Sequence, residues 1–268
     1  MATKSKVKNA KQEYISNPFK LIFKGFDSLF KHNQTMSIVI LALTLLGSFG
    51  QVFNAAGSST TGGAAASSSA NTGAEIVLIV ALISIASLLF IAAILFFGTI
   101  INGAIAYVVY KTSKSETTNF SETMHAVFGK FWTILGVQIV VGLKILGGLL
   151  LFIIPGIRAA LRYNFVLLPI FDEDATVGKA MQRSKQLTKD HLIEVFGMVT
   201  AAAIIPIVGP LMQYGGQSVM YPQLKRLKDS NGAKPPVHWL NYLGFVLIGL
   251  FVLFIAMIVG IIVAILHK

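Results

Sequence analysis

Long apolar stretches separated by short polar connections dominate the chain. Thr35–Asn54 carries only hydroxyls and amides among apolar residues, Ile76–Tyr110 runs 35 residues without a charge, and Leu240–Leu266 runs 27. Trp132–Ile154 contains one charge, Lys144, and Leu192–Leu224 contains Glu194 near its start with Pro206 and Pro210 further on. A bilayer core of about 30 Å takes roughly 20 apolar residues as a helix. Backbone groups in lipid must be satisfied within the segment, so helices follow. A soluble helix would need a polar face, and the cleanest of these runs have none.

Two stretches read as broken. Ile157–Phe171 holds 15 residues, about 22 Å as a helix, and is a short return arm after a turn at Pro155-Gly156. Pro206-Ile-Val-Gly-Pro210 divides 192–224, which reads as a hairpin of two half-length arms, with one long kinked helix as the alternative. The expectation is an all-α polytopic bundle of six or seven membrane segments, some broken or re-entrant.

Three amphipathic helices join this bundle. Asn17-Pro18 is a helix start, and Phe19, Ile22, Phe23, Phe26 and Phe30 then share one face, with Lys20, Lys24, Asp27 and Lys31 opposite. That pattern over 17–33 predicts a helix in the membrane interface, with Phe19, Lys20, Phe23, Lys24, Phe26, Phe30 and Lys31 at the surface. Packing against the protein's own cytoplasmic face is the alternative. Asn119 with Glu122 suggests a capping box for a helix to Phe131, its stripe being Phe120, Met124, Val127, Phe128 and Phe131. Asp174 is expected to cap a third helix to about His191, with Val177, Ala180, Met181, Ser184 and Leu187 on one face and acids 172–174 at its positive end.

Charge adds an orientation. Of 268 residues only 12% are charged and 54% are apolar, yet the net charge is +11. Residues 1–35 hold seven lysines, residues 55–75 hold no Lys or Arg, and 111–131, 172–191 and 225–239 hold three, four and four basic residues. The positive-inside rule then makes 1–35 a cytoplasmic basic tail and the Gly/Ala/Ser/Thr stretch 55–74 an external loop of one membrane domain, 36–268. Anionic membrane lipids are the expected partners. Basic residues beside apolar runs do not suggest nucleic acid.

Chemistry is sparse. There is no cysteine, and His32, His125, His191, His238 and His267 stand far apart, so neither a metal site nor a cofactor is expected. No nucleophile elbow or phosphate-binding glycine loop appears, and no catalytic activity is expected. The informative residues are ionisable groups inside apolar runs, which mark function by default. Lys144 lies 12 residues past Trp132, about 18 Å along a helix. Arg158 and Arg162 share a face. One reading has Lys144, Arg158 and Arg162 binding an anion such as a phosphate headgroup. The other pairs Arg162 with Glu194 or with carbonyls freed at the Pro155 break. Gln138, Asn164, Gln213 and Gln217 add polar groups. Ala256, Gly260 and Ala264 form a small-residue ridge suited to close packing inside the bundle or between copies.

The order of parts resembles a known domain. Trp132 leads to Ile153-Ile154-Pro155-Gly156-Ile157, then Arg162, Phe165 and Pro169, an acidic patch, and Ala180-Met-Gln-Arg183-Ser184-Lys-Gln-Leu187. Over about 75–225 this is similar to the membrane domain of some bacterial glycerophosphodiester phosphodiesterases and of stand-alone bacterial membrane proteins that share it. In that family the hydrolytic chemistry belongs to a separate soluble barrel, for which this sequence leaves no residues. The resemblance implies a helical domain of the bacterial inner membrane and little more about function. Together with the missing catalytic constellation and the three amphipathic helices, it leads to the expectation of a non-enzymatic protein that organises envelope or lipid functions. A transporter or lipid-handling permease is the alternative, and a membrane enzyme ranks last.

Overall fold

The computed structural model describes residues 14–57, 73–230, 232 and 234–266, so residues 1–13 of the basic tail, most of the 55–74 loop and His267 lie outside it. No strand occurs among the described residues. The helices are α1 Pro18–Gly57, α2 Gly73–Ser113, α3 Phe120–Gly129, α4 Phe131–Leu151, α5 Ile153–Arg162, α6 Leu168–Asp172, α7 Val177–Thr188, α8 Leu192–Ala203, α9 Gly209–Asp229 and α10 Leu243–Leu266, with a 3-10 turn at Trp239–Tyr242 before the last.

Three helical stretches among the described residues are long and apolar enough to cross a membrane: Val77–Ser113, Phe131–Leu151 and Trp239–Val263. They mark a membrane protein. In α2, residues 77–97 are exposed throughout, whereas 105–109 are buried in the bundle. A helix apolar on every side and without a protein neighbour is at ease only in lipid. The second half of α2, with its small Gly103 and Ala106, becomes core instead.

Two apolar cores hold the bundle. One gathers Ile22 and Leu29 of α1, Val108 of α2, Phe165, Met198 of α8, and Leu211 and Tyr221 of α9. The other packs Val127 of α3 with Ile134 and Val137 of α4, Ile170 of α6 and Ala180 of α7.

The break in 192–224 makes an antiparallel hairpin. The Tyr14 ring lies tilted against His191 at the start of α8, while the N–H of its neighbour Ile15 donates to Gln223 Oε1 near the end of α9. Residues 204–208 turn through Ile207, which has φ 69°. Pro210 falls in the first turn of α9.

The other hairpin corrects the expected turn. The chain reverses at Phe152 (φ −161°, ψ 148°), not at Pro155-Gly156. Pro155 sits in the first turn of α5, where its missing N–H costs nothing. Gly156 lies against the backbone of Gly148, closing α5 onto α4. The return over 157–171 is not one helix, since α5 ends at Arg162, turns follow, and α6 completes it.

The first amphipathic helix is continuous with α1, which kinks at Asn33 (φ −136°, ψ 50°). Asn17 caps it, its Oδ1 accepting from the N–H groups of Phe19 and Lys20. Its apolar stripe does not mainly face outward. Ile22 is buried, and Phe19, Phe26 and Phe30 pack on the core, leaving Phe23 exposed. Lys20, Lys24 and Lys31 are exposed as expected.

In α3 the Asn119 cap forms with the N–H of Glu122 at 2.8 Å. The Glu122 carboxylate turns instead to Tyr107, Lys111 and Thr118, so the reciprocal half of the capping box is absent. Helix α7 begins at Val177 with Thr176 as its cap, not at Asp174. Asp174 has φ 50° and pairs with Lys130. The face formed by Ala180, Met181, Ser184 and Leu187 is buried. Ala256 and Gly260 of the small-residue ridge are exposed, so that ridge does not pack inside the bundle.

Candidate functional site

Lys144 and Arg158 emerge on the outer surface of the α4–α5 hairpin, both exposed. Around them Leu143, Leu146, Ile154 and Ile157 are exposed too, and the tip Leu150–Ile154 is more than 65% exposed at every position. The Lys144 ammonium stands 5.6 Å from the Tyr163 ring centroid, a cation–π contact. No acidic side chain pairs with Lys144 or Arg158 among the described residues.

Arg162 is different. It is partly buried, and its Nε is buried without a partner. The anticipated pair with Glu194 is not made. Glu194 turns to His191 (Nδ1 to Oε1, 3.2 Å), and its Oε2 is buried and unpaired. What holds the end of α5 is the Arg162 carbonyl, which accepts from Ser184 Oγ at 2.8 Å and Thr188 Oγ1 at 3.2 Å. A helix end leaves such carbonyls open, and α7 closes this one. Arg162 and Ser184 of the motif series thus meet through the backbone.

Arg183 of the same series ties two acids together, with Nε on Glu173 Oε1 at 3.0 Å and Nη2 on Asp229 Oδ1 at 2.8 Å. Beside it, Asp172 accepts from Lys225, from Tyr221 OH at 3.0 Å and from Lys114 at 3.2 Å. Burial pushes the Asp172 carboxyl up, but these donors more than offset it and hold it below its ordinary value. The acids at 172 and 173 therefore clamp α6 to α9 and the end of α2, rather than complementing a helix dipole. Nothing in the sequence spacing joins Lys114, Asp172 and Lys225.

Among the polar residues in apolar runs, Gln217 Nε2 donates to Asn164 Oδ1 at 3.0 Å. Gln138 Oε1 lies 3.5 Å from the Thr99 hydroxyl. The first ties α9 to the turn after α5, and the second joins α2 to α4.

A second basic locus escaped the sequence reading. A cavity of about 220 Å³ opens between α1, the end of α2 and α9, where Lys20, Lys24 and Arg226 meet a group of hydroxyls. The i, i+4 spacing of Lys20 and Lys24 is legible in the sequence. Their convergence with Ser115 and Arg226 is not.

No protein-family model matches the chain, and no curated protein or solved structure matches it.

Proposed function

We propose that the chain is a non-catalytic multi-pass protein of the bacterial inner membrane that holds anionic lipid headgroups and serves as a scaffold for envelope or lipid functions. The observation that supports this best is the pair Lys144 and Arg158, exposed on an apolar hairpin with no acid to neutralise them. A cation on an apolar surface needs a counter-charge, and long Lys and Arg side chains snorkel to the phosphate layer.

In this proposal the basic ends of the bundle are cytoplasmic, together with the N-terminus. There are seven membrane segments: the part of α1 after Asn33, then α2, α4, α5, α8, α9 and α10. Helices α5 and α8, with 10 and 12 residues, are too short to cross alone. Both are arms of hairpins that return to the cytoplasmic side.

The test is native mass spectrometry of protein released from nanodiscs of mixed phosphatidylglycerol and phosphatidylcholine. Wild type should retain phosphatidylglycerol selectively, and Lys144→Gln with Arg158→Gln should lose that selectivity. Unchanged retention in the double variant rejects the proposal.

A permease for an anionic solute is the second reading, and the unpaired Arg162 Nε favours it. Proteoliposome flux of such a solute that is indifferent to Arg162→Ala would reject it.

A further inference from the structure

We infer that the cavity between α2, the turn after α5 and α9 receives the hydroxyls of a polyol lipid headgroup whose phosphate sits at Lys144. This rests on the lipid reading of Lys144 and Arg158, and adds to it which anionic headgroup is taken.

The cavity has a volume of about 190 Å³. Ile105, Ala106, Val166 and Leu168 are buried and give it apolar walls. Its polar groups come from Asn102, Tyr163, Asn164, Tyr214 and Gln217. Asn102 is exposed, so the cavity reaches the surface of the bundle there. A few polar groups converging in an apolar concavity is the usual form of a small-ligand site.

Backbone partners fix which way the amides face. Gln217 Nε2 donates to the Asn164 carbonyl at 3.3 Å and to Asn164 Oδ1 at 3.0 Å. That leaves Gln217 Oε1 as an acceptor and Asn164 Nδ2 as a donor. Asn102 Nδ2 donates to the Gly98 carbonyl at 2.8 Å within α2, which leaves Asn102 Oδ1 as a second acceptor. The hydroxyls of Tyr163 and Tyr214 have no hydrogen-bond partner among the described residues. Donors and acceptors therefore stand side by side. A hydroxyl uses both, whereas a carboxylate uses only the donors and an ammonium only the acceptors.

Tyr163 joins the cavity to the hairpin. The Lys144 ammonium stands 5.6 Å from the centroid of its ring, and the same residue lines the cavity. A phosphate paired with Lys144 thus places its ester substituent beside Tyr163. The level in the membrane agrees. The exposed apolar run of α2 ends at Phe97, and Asn102 stands five residues further on, about 7.5 Å along the axis. With the end of α2 cytoplasmic, this is the headgroup layer of the cytoplasmic leaflet. The cavity is smaller than the roughly 300 Å³ at which sites for drug-sized ligands begin, so it takes the polar end of a lipid and leaves the chains in the bilayer.

The test uses the full chain in nanodiscs of phosphatidylcholine with equal amounts of phosphatidylglycerol and phosphatidylserine, and native mass spectrometry of the released protein. The two anionic lipids carry the same net charge, but only the first ends in uncharged hydroxyls. Wild type should retain phosphatidylglycerol over phosphatidylserine by about tenfold, the effect of one or two hydrogen bonds. Tyr163→Phe/Tyr214→Phe, which keeps both rings, should bring that ratio near one while both lipids are still retained over phosphatidylcholine. Asn102→Leu, on the exposed rim, should lower the ratio without touching any contact beyond its own helix. Lys144→Gln/Arg158→Gln should lose both anionic lipids alike. Retention of both over phosphatidylcholine with no preference between them overturns this inference and leaves the lipid reading standing. A preference unchanged in the tyrosine and Asn102 variants overturns it as well. Failure to retain either anionic lipid overturns both. A rise in melting temperature with free glycerol that the tyrosine variant abolishes, without any preference between the lipids, overturns the headgroup in favour of a free polyol.

Discussion

Gly25 of α1 and Gly215 of α9 meet backbone to backbone, so that a Cβ on either would strike the main chain of the other. Absence of side chains is what lets two helices approach this closely. Main chain cannot swing aside as a side-chain tip can. Gly25→Ala and Gly215→Ala should each cost about 1–3 kcal/mol, exceeding the gain of up to about 1 kcal/mol in helix propensity. Gly142, where a Cβ meets nothing within 4 Å, is the control, and Gly142→Ala should not lower the unfolding temperature in detergent. Equal melting of all three variants would mean the α1–α9 crossing is not close-packed.

Asp172 predicts an acid limb. Its folded-state pKa lies below the ordinary value despite burial, because Lys225, Tyr221 and Lys114 favour the carboxylate. A depressed carboxylate contributes stability that is complete above its unfolded pKa of about 3.9 and is lost as pH falls through the folded value. Wild-type melting temperature should therefore fall below about pH 4. Asp172→Asn should be less stable at pH 7 by about 2 kcal/mol and show a shallower acid decline. Parallel curves for the two proteins would remove Asp172 from the acid limb.

Asn33 holds the α1 kink to the 112–118 segment. Its Nδ2 donates to Thr112 Oγ1 at 2.8 Å and Glu116 O at 3.1 Å, and its Oδ1 accepts from the Thr118 N–H at 2.7 Å. Asn33→Ala should destabilise by about 2 kcal/mol and speed amide hydrogen exchange over 112–118. Asn33→Asp, keeping only the acceptor, should lie between. Exchange that is unchanged in Asn33→Ala would show that the segment is fixed by other contacts.

The absence of cysteine makes every introduced thiol unique. Lys189 and Lys228 flank the α8–α9 hairpin and are exposed. Lys189→Cys and Lys228→Cys should react with a membrane-impermeant maleimide from the same side of sealed vesicles, the cytoplasmic one. Labelling from opposite faces would contradict the proposed topology.

Legibility followed the range of the interactions involved. The Asn17 and Asn119 caps, the buried face of α7 and the α8–α9 break were readable because each depends on neighbours within a few residues. The failures lie where a local pattern had more than one solution. The Phe19–Phe30 stripe could face lipid or protein, and only α9, with its glycines at 215 and 216, decided for protein. The hairpin tip moved from Pro155 to Phe152 because proline is as acceptable in a first helical turn as in a break. Glu194 pairs with His191, three residues before it, and not with Arg162.

By itself the sequence determined that this is a helical membrane protein, because backbone groups in hydrocarbon must be satisfied within their own segment and the apolar runs are long enough to need it. It also determined where cations would accumulate along the chain. Only the tertiary structure decided which of those cations meet. Lys114 and Lys225 converge on Asp172, while Lys20 and Lys24 of α1 meet Arg226 of α9 at one cavity. Electrostatic partnership depends on distance in space, and the folded path of the chain alone sets that distance.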